Sequence, residues 1–174
     1  MPKILDNVRG RAIEAAREIM LRDGYDAMTV RLISRRIGIG LGTLYNYFPA
    51  KEYLAAAVMI EDWNALVEQY QALPAFDEPL AAVRALFENV RTFSARFRLS
   101  WDQYGKHRSD KPFREKFHPQ LVRQIADTLT PRLPEGAVKA VPTLPWFLAE
   151  TCIRLGADEN VKFEDLVPVL NRLL

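Results

Sequence analysis

The side chains best placed for chemistry lie between Thr29 and Lys51, and the chemistry they offer is non-covalent binding of a polyanion. On a helical wheel that starts at Leu41, Leu44 and Phe48 fall within about 40° of each other and form a buried side. The outer face is small, polar or phenolic and consists of Gly42, Thr43 and Asn46, flanked by Leu41, Tyr45 and Tyr47. No acidic residue lies in 41–47, so this face can approach phosphates without repulsion. The alternative is an ordinary surface of a small helical bundle, because short amphipathic helix pairs are common.

Two short helices joined by a tight turn are needed to position that face. Inward-facing apolar residues recur at helical spacing, at Ile33, Ile37, Ile39, Leu44 and Phe48. Gly38 stands where the first helix must end, and glycine accepts the left-handed backbone angle that a helix C-terminus commonly needs. Thr29 is placed to cap the first helix, and Arg31 in its first turn is long enough to reach a groove or a phosphate. The pattern predicts a helix-turn-helix.

The run GIGLGTLYNYFPAKEYL, preceded by GYDAMTVRLI, resembles the DNA-binding domain of the TetR family of bacterial transcriptional regulators. The resemblance covers about Arg9 to Leu54. Three positions depart from the family pattern: Ser34 replaces a preferred alanine, Gly40 a serine N-cap, and Ala50 the Ser or Asn that usually caps the next helix. Glycine is a tolerable N-cap, whereas alanine forgoes about 1 kcal/mol of capping.

The resemblance implies a homodimer that binds a double-stranded operator and is released by a small-molecule effector. It assigns phosphate contacts to Thr29, Thr43, Tyr45, Tyr47 and Lys51, and base-edge contacts to Arg31, Leu41, Gly42 and Asn46. It also implies a DNA-binding domain over 1–50 and a helical ligand-binding and dimerisation domain over 51–174. A repressor and an activator would carry the same motif, and we expect repression.

The composition is ordinary, but the excess of positive charge lies at the N-terminal end. The 174 residues are 49% hydrophobic and 26% charged, with a net charge of +2. Residues 1–54 hold nine Lys and Arg against six Asp and Glu, while the remainder holds fifteen against sixteen. This distribution favours a nucleic-acid contact at the N-terminal end, although a solvated basic face would show the same excess.

Targeting and redox signals are few. No apolar run resembles a signal peptide or approaches the roughly 18 residues of a membrane span, so we expect a cytoplasmic protein without a membrane partner. The single Cys152 cannot form an internal disulfide and is expected to be a small buried side chain.

A long alanine-rich helix from Lys51 to about Leu73 is expected to link the two domains. Beyond it, seven aromatic residues are candidates for an apolar effector site: Trp63, Phe87, Phe93, Phe97, Trp101, Tyr104 and Phe117. The resemblance favours a hydrophobic or aromatic effector in a cavity, but a filled core would use the same residues.

The C-terminal residues 163–174 form the cleanest apolar stripe, too short to be stable alone and too apolar to leave in water. Together with the apolar segment Leu144–Leu155, it predicts a four-helix dimer interface. The expected contact residues are Leu148, Cys152, Leu155, Phe163, Leu166, Val167 and Leu170. Packing wholly inside one subunit is the alternative.

Enzymatic chemistry has no visible support. The sequence has no glycine-rich phosphate loop, paired catalytic carboxylates, nucleophile elbow or Cys/His cluster, and His107 and His118 lack a partner at metal spacing. We expect no metal, no cofactor and no enzyme. The sequence predicts an all-α chain of about nine helices that regulates transcription. The alternative is a lipid- or small-molecule-binding protein of the same fold that does not bind DNA.

Overall fold

The computed structural model describes residues 7–104 and 118–174, excluding the side chains of Trp101 and Tyr104. Regular structure in these ranges is entirely helical, which confirms the expected all-α fold with an N-terminal helix-turn-helix. The described ranges hold ten α-helices, together with a 3₁₀ turn at Thr130–Arg132. They are α1 Val8–Asp23, α2 Val30–Ile37, α3 Leu41–Tyr47, α4 Lys51–Gln71, α5 Pro79–Arg96, α6 Arg98–Tyr104, α7 His118–Leu129, α8 Glu135–Ala140, α9 Leu144–Gly156 and α10 Phe163–Leu173.

The described residues divide into two compact units. One contains α1 to α3, the part of α4 up to Asp62, and the residues from Arg96 through α6. The other contains the residues from Trp63 to Ala95 and from His118 onward. The break therefore lies inside α4. The sequence analysis divided the chain by expected function, into residues 1–50 and 51–174. The compact units do not test that division, which stays a prediction.

In the first unit, α1 packs against α2 and α6. Its apolar stripe is buried as expected and consists of Ala12, Ile13, Ala16, Ile19 and Met20. The side chain of Asn7 caps the helix by accepting a hydrogen bond from the Gly10 N–H at 3.0 Å. Gly24, with φ at +85°, follows the last residue of the helix. These features hold α1 as the support on which α2 and α3 rest.

A charge cluster also stabilises the first unit. Arg17 Nε of α1 donates to Asp62 Oδ1 of α4 at 2.6 Å, and Arg17 Nη2 donates to Glu61 at 3.0 Å. Arg96 Nη2, at the end of α5, lies 3.1 Å from Asp62 Oδ2. Burial would lower the pKa of Arg17, but the hydrogen bond and charge of Asp62 outweigh it and raise that pKa above its ordinary value. Asp62 is therefore a buried carboxylate that accepts a hydrogen bond from Arg17 and forms ion pairs with both arginines.

In the second unit, α7 packs along α9, and aromatic contacts fill the space around α5. Phe87 of α5 and Phe163 of α10 meet edge to face, with 5.4 Å between their ring centroids. The buried Tyr70 hydroxyl donates to the Ala82 carbonyl at 3.0 Å. Cys152 is fully buried, which confirms its expected role as a small core side chain. α10 continues through Pro168, and the Lys162 N–H donates to Asp165 Oδ2 at its N-terminus.

Candidate nucleic-acid interface

The first helix of the helix-turn-helix begins and ends where the sequence predicts. The Thr29 hydroxyl oxygen accepts a hydrogen bond from the Leu32 N–H at 3.1 Å, so Thr29 is the N-cap of α2. Gly38 has φ at +71° and ψ at 38°, the left-handed conformation expected of it. The N–H groups after the helix donate back to Arg35 and Ser34, which closes the turn.

Two polar side chains secure the turn between α2 and α3. Ser34 is buried where the family prefers alanine, and its hydroxyl donates to the Ile39 carbonyl at 3.3 Å. Arg11 of α1 donates from Nη2 to the Ile37 carbonyl at 2.5 Å. Since both carbonyls lie at the end of α2 or just after it, these bonds satisfy acceptors that the helix leaves unpaired. The departure at Ser34 therefore costs no unsatisfied buried group.

α3 presents the face predicted from the sequence. Leu44 and Phe48 are buried beneath it, and Leu41 is half-buried. The expected contact residues Gly42, Thr43, Tyr45, Asn46 and Tyr47 are all exposed. Tyr45 and Tyr47 expose 45% and 49% of their surface. Two half-exposed phenols beside a glycine form a surface that offers stacking area, hydroxyl donors and no negative charge.

Gly42 leaves the middle of this face open. A Cβ atom added there would meet no heavy atom within 4 Å. No neighbouring side chain of the subunit therefore requires glycine at this position. A partner surface can approach the α3 backbone closely at this point.

Lys51 lies at the start of α4 and is half-buried against the loop between α1 and α2. Its Nζ sits 3.9 Å from the centroid of the Tyr25 ring and 3.4 Å from the Asp26 carbonyl oxygen. Burial lowers the pKa of Lys51, and the charges of Asp26 and Glu52 oppose that shift. These contacts hold the Lys51 ammonium group beside Tyr25 and Asp26, at the edge of the helix-turn-helix.

Three exposed side chains near this face were missed by the sequence analysis. Arg35 and Leu32 lie on α2, and Tyr53, which is 62% exposed, lies in the first turn of α4. Arg35 could have been found, because it follows Arg31 by four residues and so shares its face. Arg31 itself is exposed, as its predicted role requires.

The predicted aromatic site stays a prediction, and the structure gives the surroundings of some of its residues. Trp63 and Phe93 meet edge to face at 5.4 Å, and Trp63 Nε1 donates to Gln124 Oε1 at 3.1 Å. Phe87 contacts Phe163 instead, and Phe97 belongs to the other compact unit. Phe117 and the side chains of Trp101 and Tyr104 lie outside the described residues. Gln124 was not predicted, since a lone amide gives no sequence signal.

The predicted interface residues divide by burial. Leu148, Cys152, Phe163 and Leu170 are buried within the subunit, which is the alternative the sequence left open for them. Leu155, Leu166 and Val167 remain partly exposed. The exposed apolar side chains of α9 and α10 are different ones: Trp146, Phe147, Val169 and Leu173. The periodicity identified apolar helices but could not tell which apolar face the subunit itself covers.

The part of the chain that the structure describes contains no helix both long and apolar enough to cross a bilayer. Nor do its described His, Cys, Asp and Glu side chains form a group of three that could hold a metal ion.

Comparison with known proteins identifies the N-terminal part of the chain. Residues 12–58 match the family described as bacterial regulatory proteins, tetR family. The HTH-type transcriptional regulator UidR of Escherichia coli K12 is 35% identical over 75 residues, which are 43% of this chain and 35% of UidR. The HTH-type transcriptional repressor KstR of Mycolicibacterium smegmatis is 35% identical over 58 residues, which are 33% of this chain and 28% of KstR. The matched segments thus span about a third of these relatives.

Solved structures resemble the chain over nearly its whole length. SCO7518 from Streptomyces coelicolor A3(2), described as a transcriptional regulator, has a TM-score of 0.65 at 16% identity and covers 96% of this chain and 98% of its own. A regulator of the TetR/AcrR family from Thermobifida fusca has a TM-score of 0.52 at 18% identity, with 97% and 96% covered. At such identities the likeness shows the fold. The chain therefore has the fold of these solved structures, and its residues 12–58, which contain the helix-turn-helix, match the tetR family.

Proposed function

We propose that this protein is a transcriptional regulator of the TetR family, a repressor that binds a palindromic DNA operator as a homodimer and is released by a small hydrophobic or aromatic effector. The exposed, acid-free face of α3 carries the proposal. In a helix-turn-helix the second helix lies in the major groove while the first crosses the backbone, and α3 is that second helix. Residues 1–50 are the DNA-binding part and 51–174 the part for effector and dimer. Such a repressor acts in the bacterial cytoplasm, where its operator is.

Each exposed group has a role in this arrangement. The hydroxyls of Thr29, Thr43, Tyr45 and Tyr47 and the Lys51 ammonium bind phosphates, which fixes the position of the helix on the duplex. Arg31, Leu41, Gly42 and Asn46 face base edges. Asn46 can bond adenine bidentately and Arg31 can bond guanine, each worth about 1–3 kcal/mol of discrimination. Gly42 lets the helix sit deep in the groove.

Dimerisation is supported by the length of α3 and by the exposed apolar side chains. A recognition helix of seven residues contacts too few base pairs for specificity, whereas two related by a two-fold axis bind a palindrome. Trp146, Phe147 and Val169 each expose about half of their surface or more on α9 and α10. Large apolar groups in that number favour burial against a second subunit.

Repression and effector release rest on two further observations. The KstR relatives are described as repressors. In the second unit, the buried aromatic side chains of Trp63 and Phe93 have Gln124 as a polar partner, a combination that sites for mostly apolar small molecules also use.

Selection from a random duplex library tests the proposal. We expect enrichment of a palindrome whose half-sites lie about one helical turn or more apart. In the Gly42→Leu variant the new side chain meets no neighbour in the subunit, so the protein should still fold. We expect this variant to enrich no DNA sequence. A chain that instead served only as a small-molecule binder would be thermally stabilised by apolar ligands and would enrich no DNA sequence, and that result would overturn the proposal.

A further inference from the structure

The arginines of α1 and α2 fall into two classes. Five are engaged: Arg9 by Glu61, Arg11 by the Ile37 carbonyl, Arg17 by Glu14, Glu61 and Asp62, Arg22 by Asp23, and Arg36 by Glu18. Within the described part of the chain, Arg31 and Arg35 make neither an ion pair nor a side-chain hydrogen bond. Both are exposed and both lie on α2.

The two unpaired arginines share one edge of α2. Four residues separate them, so they lie one turn apart and about 40° from each other on the helix surface. Arg36 lies about 100° further round and is directed to α1 by its ion pair with Glu18. The edge that carries Arg31 and Arg35 therefore points away from this contact with α1.

This placement is unfavourable in the free protein. Like charges at i and i+4 of a helix repel each other, and no described acidic side chain pairs with either arginine. A phosphate beside them would remove that repulsion. A guanidinium can donate two parallel hydrogen bonds to phosphate oxygens, which makes arginine well suited to such a contact.

We propose that Arg35 binds the DNA backbone and, with Arg31, extends the interface from α3 onto α2. This inference rests on the proposed DNA-binding function. The first helix of a helix-turn-helix crosses the backbone, so Arg35, in the last turn of α2, is placed to meet phosphates. Arg35 thus contributes affinity without sequence preference, and Arg31, one turn nearer the N-terminus of α2, supplies the base contact.

Arg35→Ala tests this, with Arg36→Ala as the matched control on the neighbouring residue. Affinity for the selected operator and for an unrelated duplex is measured by fluorescence anisotropy between about 50 and 300 mM salt. Over this range, phosphate contacts make the affinity fall steeply as salt rises. Arg35→Ala should weaken both duplexes alike, by about eightfold per subunit at 0.1 M salt, and lower the salt slope by about 0.9 per subunit. Arg36→Ala should leave the slope unchanged, because Glu18 already neutralises that guanidinium. Arg35→Lys should restore the slope.

Each outcome separates the inference from the function on which it rests. If the wild type binds no duplex, the proposed function fails. If the wild type binds with a strong salt dependence and Arg35→Ala keeps the same slope, Arg35 is a solvated surface residue and the inference is overturned. A loss confined to the operator would make Arg35 a base contact, which also overturns it.

Discussion

Among single residues, Gly38 and Gly42 stand four positions apart and have opposite requirements. Both are surrounded by open space, so a methyl group added at either would clash with nothing. Gly38 is in the left-handed region, with φ at +71°, while Gly42 lies inside α3. The backbone alone therefore decides what a substitution does at each.

We expect Gly38→Ala to lower the free energy of unfolding by about 1 kcal/mol, because an L side chain is strained in the left-handed region. Gly42→Ala should raise it by up to about 0.8 kcal/mol, since alanine is a better helix former than glycine. Urea unfolding followed by circular dichroism measures both. Equal effects of the two substitutions would contradict the backbone argument.

Lys51 is the residue whose loss should affect all DNA sequences alike. Its ammonium lies over the Tyr25 ring at the edge of the helix-turn-helix, and in the proposed function it binds a phosphate. Lys51→Ala should lower affinity for operator and unrelated duplexes together and reduce the salt slope by about 0.9 per subunit. Lys162→Ala, which removes an exposed lysine in the other compact unit, serves as the control. Weakening on one sequence only would mean that Lys51 contacts bases.

At the scale of elements, local signals predicted the helix-turn-helix well. Thr29 caps α2, Gly38 ends it, and Leu44 and Phe48 form the buried side of α3, because each feature depends on neighbours within a few residues. The signals were weaker for α9 and α10. Both carry apolar side chains on more than one face, and spacing alone does not distinguish the core of the subunit from a surface.

The two faces of α10 can be separated by adjacent substitutions. Val169 is 56% exposed, whereas Leu170 is 2% exposed. If exposed apolar side chains form the dimer interface, Val169→Glu should yield a monomer with unchanged helical content. Leu170→Glu should instead destabilise the subunit, because it buries an unpaired charge in the core. Light scattering at micromolar concentration and thermal unfolding distinguish the two. A dimeric Val169→Glu variant would place the interface elsewhere.

At the scale of the whole molecule, the position of the break between the compact units was not predictable. It falls between Asp62 and Trp63, inside the continuous helix α4, and no glycine, proline or change of composition marks it. The aromatic candidates show the same limit of local reasoning. Phe97 follows Phe93 by four residues in sequence, yet the two belong to different units, because the chain passes from one unit to the other between Ala95 and Arg96.

Stability should fall at alkaline pH. Burial raises the pKa of Tyr70 and that of Cys152 to about 12, from ordinary values of 10.0 and 9.0. As pH rises, both groups deprotonate first in the unfolded state, so the stability they contribute is complete below about pH 9 and is lost by about pH 12. Between its unfolded and folded pKa values, each group lowers the free energy of unfolding by up to about 1.4 kcal/mol per pH unit.

Free energies of unfolding measured between about pH 8 and pH 11 check this, because Tyr70 and Cys152 begin to ionise in the unfolded chain within that range. Cys152→Ala should reduce the slope that begins near pH 9, and Tyr70→Phe the slope that begins near pH 10. The comparison concerns slopes, because each substitution also lowers stability at neutral pH. A slope unchanged by both substitutions would assign the alkaline loss to other groups.

The cluster around Asp62 restricts how this protein can change during evolution. Removing one partner from a buried ion pair costs about 3–5 kcal/mol, whereas replacing the whole set with apolar side chains of similar volume costs little or nothing. Arg17 and Asp62 are 2.6 Å apart on α1 and α4, so a lineage that loses either residue first passes through a less stable intermediate. Descendants of this sequence should therefore keep both residues or exchange both, and an inherited change at position 17 should be accompanied by one at position 62.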